Sequence, residues 1–208
     1  MTSWLQSKAP TRFEHLLTPS SIKETLATAS TSDNPPHLLL SGPAGVGKTA
    51  IMRMVARQLL GPGWQSTTHI LNAKDLARKP GAMKAFEEFI RPSGSTGSLA
   101  GMTSLDIFTE SLAEVPNDSG PPSGAETFST NSNLRVKLSR IIVIEDADYL
   151  GNLRQAYLRR MMEQSSLTSR FIFTTTTPSR LIEALRSRTQ HIRIPRSVSY
   201  THLRAHET

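Results

Sequence analysis

Apolar residues occur along the chain in short runs that end at polar residues or at glycine and proline. Five of these runs have the length of a buried β-strand, at residues 37–41, 69–73, 140–145, 170–175 and 190–194. Stretches with helical spacing of apolar residues lie between several of them, at residues 20–29, 48–60, 83–90, 153–165 and 179–185. Strands that alternate with helices are typical of a parallel sheet. The pattern therefore predicts an α/β fold in which helices flank a five-stranded parallel sheet.

The composition changes between residues 91 and 133, where Gly, Ser, Thr, Pro and Asn predominate. One amphipathic stretch interrupts this segment at residues 104–114 and predicts a short helix. Segments so poor in apolar residues bury too little surface to offset the entropy of ordering. We therefore expect a flexible insert in an otherwise compact domain.

The overall composition limits the class of protein. A length of 208 residues suits one α/β domain, and the absence of cysteine excludes disulfides and thiolate-bound metals. No apolar run approaches the roughly 20 residues that a membrane span needs, and residues 1–10 lack the pattern of a signal peptide. These features predict an intracellular protein with no membrane partner.

The net charge of +7 lies in one part of the chain. Residues 1–150 contain equal numbers of basic and acidic residues, whereas residues 151–196 contain nine arginines and only two acids, Glu163 and Glu183. The planar guanidinium suits bidentate contact with phosphate, so this segment indicates a polyanion or a neighbour's nucleotide as partner. The alternative is a set of solvated helix faces, and composition leaves both open.

The strongest motif is a glycine-rich loop that follows the first predicted strand and opens a helix. Its residues are Gly42, Pro43, Ala44, Gly45, Val46, Gly47, Lys48 and Thr49. The spacing is that of a P-loop, whose backbone N–H groups surround phosphates at a helix N-terminus. In such loops the lysine reaches the β and γ phosphates and the next hydroxyl binds Mg²⁺. The loop predicts a site for ATP and Mg²⁺, with Lys48 and Thr49 in these roles.

Two acids follow the apolar strand at residues 141–144, as in a Walker B motif. In most such ATPases an Asp holds Mg²⁺ and a following Glu orients the attacking water. Here Glu145 precedes Asp146. We expect Glu145 to reach the metal with Thr49, and the shorter Asp146 to serve hydrolysis poorly, so that nucleotide binding survives better than turnover. The alternative is a surface acidic turn. Asp148 is expected to cap the helix that follows.

Several further strings carry a resemblance to a known family. Residues 154–163 read Arg-Gln-Ala-Tyr-Leu-Arg-Arg-Met-Met-Glu, which resembles the Gln-Ala-x-Leu-Arg-Arg-x-Met-Glu of replication factor C small subunits, a family of AAA+ clamp-loader ATPases. Residues 71–75 read Leu-Asn-Ala-Lys-Asp and resemble its Leu-Asn-Ala-Ser-Asp. Residues 170–189 align without gaps to its sensor strand and Ser-Arg-Cys motif. The similarity covers about residues 3–195.

The resemblance assigns roles to further residues. Thr176 stands at the family's sensor Asn, where a hydroxyl would bond the γ-phosphate or the attacking water; strand propensity alone is the alternative. Arg188 matches the arginine finger that completes the ATP site of the adjacent subunit; an ordinary solvated arginine is the alternative. The family's DNA-facing helix corresponds to the predicted helix with Arg154, Arg159 and Arg160. Phosphate contact, subunit contact and solvation remain open for these three arginines.

Departures from the family pattern suggest a divergent subunit. The family's N-terminal Trp-x-x-x-Tyr-x-Pro box keeps Trp4 and Pro10, but Lys8 replaces its Tyr. In addition, Ala184 replaces a Pro, Thr189 replaces a Cys, and the two acids are exchanged. The similarity ends where the family's helical lid and collar begin. We therefore expect an AAA+ core at residues 1–196 of a truncated chain, followed by an artefactual tail at residues 197–208.

The resemblance also implies an assembly. The parent would belong to a heteropentamer that binds ATP, a sliding clamp and primer–template DNA, nuclear in a eukaryote or cytoplasmic in an archaeon. ATP hydrolysis is expected only within that complex, because a neighbour completes each site. Two alternatives remain. One is a subunit that binds nucleotide without hydrolysis and serves as scaffold and arginine-finger donor; the other is a different AAA+ P-loop ATPase.

Overall fold

The computed structural model describes residues 10–61, 64–90, 138–165 and 168–196. Within them, five strands form one sheet in the order β2-β3-β4-β1-β5, and each neighbouring pair is parallel. The strands are β1 (His37–Ser41), β2 (Thr68–Asn72), β3 (Arg140–Glu145), β4 (Ser169–Thr175) and β5 (Thr189–Arg193). This confirms the predicted α/β fold and its five-stranded parallel sheet.

Seven α-helices and three single-turn 3₁₀ segments connect these strands in the described parts of the chain. The helices are α1 (Ser20–Thr31), α2 (Lys48–Leu60), α3 (Trp64–Thr67), α4 (Ala73–Ala77), α5 (Ala82–Ile90), α6 (Asn152–Gln164) and α7 (Glu183–Arg186). The 3₁₀ turns are Phe13–His15, Ala147–Tyr149 and Pro178–Arg180. None of the helices described has the length and apolarity that a membrane crossing requires.

Alternate residues of each central strand bury opposite faces of the sheet. Ile142 and Ile144 of β3 join a core cluster with α5 and α6, whereas Ile141 and Val143 join a second cluster with α1 and α2. A strand that is buried on both faces needs apolar residues throughout, which explains the continuous apolar runs in the sequence. Two layers of helices thus enclose the sheet. Because all five strands are parallel, their carboxyl ends lie at the same edge of this three-layer domain, where polar loops follow.

Most predicted elements agree with the structure within one or two residues, and residues 48–60 agree at both ends. The helix predicted at residues 179–185 is wrong, because the chain forms the 3₁₀ turn Pro178–Arg180 and then the separate helix α7. The backbone N–H of Ile182 donates to Gln155 Oε1 at 2.7 Å rather than to a helical carbonyl. The whole insert at residues 91–133, with its predicted helix at 104–114, and the tail at 197–208 lie outside the described residues.

Two arginines at the amino end of the sheet belong to the scaffold. Arg170 is 3% exposed and donates to the carbonyl of Pro35 and to Asn34 Oδ1. Arg140 donates to the carbonyl of Ile90 at 3.0 Å and to Ser169 Oγ at 3.0 Å. Buried guanidinium groups need such acceptors. The phosphate-binding interpretation of the arginine-rich segment therefore does not extend to Arg170.

His37 begins β1 next to Arg170 and packs edge-on against Phe171. Its Nδ1 accepts the backbone N–H of Phe171 at 3.1 Å, so this nitrogen carries no proton. Burial, together with the charge of Arg170, lowers the pKa of His37 from 6.5 to about 4. The histidine is therefore neutral in the folded protein at physiological pH.

This pKa predicts a loss of stability in acid. Between pH 6.5 and 4 the unfolded chain binds a proton that the folded chain excludes, so the free energy of unfolding falls as the pH falls through this window. The loss should approach about 3 kcal/mol. His37→Asn, which keeps an acceptor for Phe171, should flatten the slope in urea titrations. The exposed-site control His15→Asn should retain it; a steep slope in His37→Asn would contradict the assignment.

Candidate nucleotide-binding site

The glycine-rich loop lies at the carboxyl edge of the sheet, between β1 and α2. Gly42, Gly45 and Gly47 all have positive φ angles, of 155°, 81° and 91°. A Cβ on Gly42 would lie 2.3 Å from the carbonyl oxygen of Ile194, so only glycine fits there without a shift. A Cβ on Gly47 would meet no atom within 4 Å, but φ of 91° disfavours other residues. The loop thus encloses an open cradle at the start of α2.

Lys48 and Thr49, the first residues of α2, extend towards this cradle. Lys48 Nζ donates to the carbonyls of Gly42 and Pro43, each at 2.7 Å. Burial lowers the pKa of Lys48, while the carboxylates of Asp146 and Asp148 oppose that shift. Lys48 therefore lies within the electrostatic field of two acids.

Thr49 and Glu145, predicted as the metal pair, are in direct contact. Thr49 Oγ1 donates to Glu145 Oε1 at 3.0 Å, which joins the P-loop helix to the end of β3. Burial raises the pKa of Glu145, and the hydrogen bond from Thr49 acts in the opposite direction. A hydroxyl and a carboxylate at this edge are hard oxygen ligands of the type that Mg²⁺ prefers. This donor set fits Mg²⁺, which Thr49 and Glu145 would hold.

Asp146 has a left-handed backbone, with φ of 51° and ψ of 46°. Aspartate tolerates this conformation better than most residues. Its backbone N–H donates to Thr174 Oγ1 at 3.4 Å, and its carboxylate acts on both Lys48 and Glu145. The turn therefore interrupts strand alternation and keeps both acids close to the loop.

The prediction that Asp148 caps the following helix is wrong. Helix α6 begins after Gly151 without a side-chain cap, and Asp148 is only 9% exposed. Its carboxylate accepts Thr175 Oγ1 at 2.8 Å and Thr176 Oγ1 at 3.5 Å. The carboxylate binds these two hydroxyls rather than the N–H groups of α6, because the hydroxyls at the end of β4 lie beside the 3₁₀ turn that contains Asp148. The structure thus connects the predicted sensor residue Thr176 to an acid of the same edge.

Arg188 lies away from this edge. It precedes β5, whose first residue, Thr189, pairs with His37 at the amino end of β1. The P-loop begins at the carboxyl end of β1, roughly 13 Å further along the strand. Arg188 donates instead to Glu163 and to the carbonyl of Ala184. Within one chain, Arg188 is therefore not positioned to contact a nucleotide bound at the P-loop.

The helix that carries the remaining arginines buries a face that matches the sequence pattern only in part. The spacing of Leu150, Leu153, Tyr157 and Met161 predicts a core-facing stripe. Leu150 is buried and Tyr157 and Met161 pack against the core, but Leu153 is 71% exposed. The buried residues of α6 are Gln155, Leu158 and Met162. Leu153 lies in the first turn, where it points away from the sheet. Arg159 and Arg160 are exposed, whereas Arg154 is half-buried.

Two amides hold the edge in place, and their individual roles were not predicted from the sequence. Asn72 Oδ1 caps α4 by accepting the N–H groups of Lys74 and Asp75 at 3.0 and 3.2 Å. Gln155 is buried, and its Nε2 donates to the carbonyls of Leu150 and Arg180 at 2.8 and 3.1 Å. An Asn directly before a short helix was the available signal for the cap. Nothing local in the sequence marks Gln155 as a bridge.

Comparison with known sequences supports this description. The model of the family described as "ATPase family associated with various cellular activities (AAA)" matches residues 38–196. The chain is 29% identical over 185 residues to the replication factor C small subunit of Methanocella arvoryzae. It is 26% identical over 204 residues to replication factor C small subunit 2 of Pyrobaculum arsenaticum. These alignments cover 89% and 97% of this chain but 45% and 51% of the relatives, so the chain spans about half their length.

Solved structures give the same fold. Two variants of Thermotoga maritima RuvB superpose with TM-scores of 0.54 and 0.56, at 18% and 15% sequence identity. The alignments cover 91% and 90% of this chain and 48% of each RuvB chain. Identity this low shows the fold alone. Together the comparisons confirm the predicted AAA+ fold and the resemblance to replication factor C small subunits.

The close approach at Gly42 predicts a specific intolerance. Gly42→Ala should force the loop away from Ile194, weaken ATP binding strongly, and destabilise the domain by about 1–3 kcal/mol. Nucleotide titration and urea unfolding measure the two effects. Gly151→Ala is the matched control, because a Cβ there meets no atom within 4 Å. Unchanged ATP binding in Gly42→Ala would show that the contact does not determine the loop.

Proposed function

The chain belongs to the AAA family of ATPases, and we propose that it is the ATP-binding core of a subunit of a DNA sliding-clamp loader. The observation that carries this proposal is the contact between Thr49 and Glu145, which joins the P-loop helix to the acidic end of β3. The similarity to replication factor C small subunits supports the clamp-loader class. The RuvB structures support the fold without favouring another partner.

Each residue at the edge has a proposed task. Lys48 binds the β and γ phosphates, while the backbone N–H groups of the glycine loop surround them. Thr49 and Glu145 hold Mg²⁺, which supplies neutralisation of phosphate charge when bound. Asp146 and Thr176 face the position of the attacking water. A basic amine, two hydroxyls and two acids at one edge of the sheet suit phosphoryl transfer.

The order of the acids bears on whether this subunit hydrolyses ATP. Glu145 already contacts Thr49, as a metal-side acid should, and this leaves the shorter Asp146 to orient water. The carboxylate of Asp146 is near enough to Lys48 to act on its charge, but its side chain is one methylene shorter than the usual Glu. A subunit that binds ATP without hydrolysing it, and serves as scaffold and arginine-finger donor, is the second candidate. The exchanged acids favour that candidate.

The proposed partners follow from the exposed arginines and from the relatives. Arg188 would act on the nucleotide of an adjacent subunit in a heteropentamer, and the sliding clamp and primer–template DNA would be bound by the complex. Arg159 and Arg160 are exposed on one helix and would contact DNA phosphates without sequence preference. Arg154 is half-buried and has less reach towards a phosphate.

The first test is Mg·ATP binding by the chain itself. A fluorescent nucleotide should bind the unaltered protein, and Lys48→Ala should lose this binding, because the amine that reaches the phosphates is gone. Lys84→Ala removes an exposed lysine of α5 and is the charge-matched control. Equal binding by Lys48→Ala and the unaltered chain would refute the assignment of the loop.

The second test separates the two candidate functions. In the reconstituted clamp loader, Asp146→Ala should leave ATP affinity within about twofold and lower hydrolysis at this subunit's site by about 10²-fold, as expected for loss of a water-orienting base. Glu88→Ala, an exposed acid, is the control. Unchanged hydrolysis in Asp146→Ala would instead favour the non-hydrolysing scaffold.

A further inference from the structure

Arg188 is held on one side by a carboxylate at the end of α6. Its Nη2 and Nε donate to the same oxygen, Glu163 Oε1, at 2.6 and 3.1 Å. Its Nη1 donates to the carbonyl of Ala184 at 2.8 Å. The side chains of Arg188 and Glu163 remain 34% and 48% exposed. The guanidinium is therefore oriented by two elements, α6 and α7, and is still accessible from outside the domain.

The remaining hydrogen-bonding capacity of Arg188 can be counted. A guanidinium has five N–H groups, one on Nε and two on each Nη. Glu163 takes one from Nε and one from Nη2, and Ala184 takes one from Nη1. One N–H on each Nη remains for an external acceptor. Donors on two nitrogens of one guanidinium can bind two oxygens of a phosphate.

The charge at this point also favours an anion. Glu163 Oε1 accepts Arg159 Nε as well, at 3.5 Å, so one acid is shared by two arginines. The group of three side chains therefore keeps a net positive charge. Hydrogen bonds from Arg188 help to lower the pKa of Glu163, which keeps the carboxylate ionised. Glu163 thus orients the guanidinium without cancelling the charge of the cluster.

We propose that Glu163 is a positioning residue for Arg188: it fixes one edge of the guanidinium so that the two remaining N–H groups face the phosphate of a nucleotide in an adjacent subunit. This inference rests on the proposed function, since it needs the neighbour's site. The ion pair need not break for Arg188 to act, because the donors that bind Glu163 differ from those left for phosphate. Glu163 therefore assists hydrolysis in trans rather than restraining the finger.

The experiment uses the reconstituted complex in which only the neighbour that receives Arg188 keeps a functional P-loop. Its kcat and KM for ATP then report a single interface. Arg188→Ala should lower kcat by about 10³-fold or more, as for removal of an arginine finger. Glu163→Ala should lower kcat by about tenfold with KM nearly unchanged, because a misaligned donor weakens transition-state contacts. The double variant should equal Arg188→Ala alone.

Matched variants separate positioning from charge and folding. Glu163→Gln keeps an acceptor oxygen for Arg188 and should therefore retain kcat within about threefold. A loss of up to that size is expected because neutral hydrogen bonds are weaker than charged ones. Glu183→Ala removes an exposed acid on α7, the helix that carries Ala184, and should leave kcat unchanged. Gel filtration of each complex checks that assembly is intact.

The outcomes distinguish this inference from the proposed function. If Arg188→Ala lowers kcat but Glu163→Ala leaves it unchanged, the positioning role is overturned and the finger stands. A higher kcat in Glu163→Ala would mean that Glu163 restrains Arg188, which also overturns the proposal. If Arg188→Ala has no effect, the finger assignment fails, and the inference about Glu163 fails with it.

Discussion

The end of β1 is the point on which the nucleotide site depends. Three backbone contacts meet there: Gly42 N–H donates to the carbonyl of Thr175, Ile194 N–H donates to the carbonyl of Ser41, and the Ile194 carbonyl lies against Gly42. These contacts join β1 to both neighbouring strands where the chain must leave the sheet. Because a side chain at Gly42 would collide with backbone, the start of the loop has little freedom. The positions of Lys48 and Thr49 follow from that start.

The same edge holds charged groups that are partly buried, which makes their ionised forms less favourable. Burial raises the pKa of Glu145 and lowers the pKa of Lys48, so each group is less easily ionised than it would be in water. An ion pair between Glu145 and Lys48 would neutralise both charges within the chain. Instead, Glu145 contacts Thr49, and Lys48 contacts loop carbonyls. Charges arranged in this way gain most when phosphate and a cation enter together. The unfavourable pKa shifts are therefore consistent with a site arranged for a ligand.

The sequence predicted the scaffold better than it predicted the side-chain contacts of the edge. Strands that are buried on both faces and a P-loop give strong local patterns in a sequence. The predictions of the sheet and of α2 were therefore correct. The helix at residues 179–185 failed because Gln155, distant in sequence, takes the N–H of Ile182. The prediction that Asp148 caps the following helix failed for a similar reason, since its partner Thr175 lies near it only when β3 and β4 are paired. Leu153 was predicted to be buried because it shares a face with Tyr157 and Met161, but that face is only the margin of the buried face, which is formed by Gln155, Leu158 and Met162.

The position of Arg188 has a consequence for assembly. The P-loop follows the carboxyl end of β1, whereas Arg188 lies beside its amino end, and the paired register of β1 and β5 keeps the two apart. Within one chain the finger cannot approach the cradle unless the sheet is broken. Under the proposed function, a subunit with these two features at different ends would complete its neighbour's site and would have its own completed by another neighbour. Such head-to-tail contacts close only as a ring or continue as a filament. Since Glu163 and Ala184 fix Arg188 on the domain itself, the geometry of each junction would be set by rigid elements.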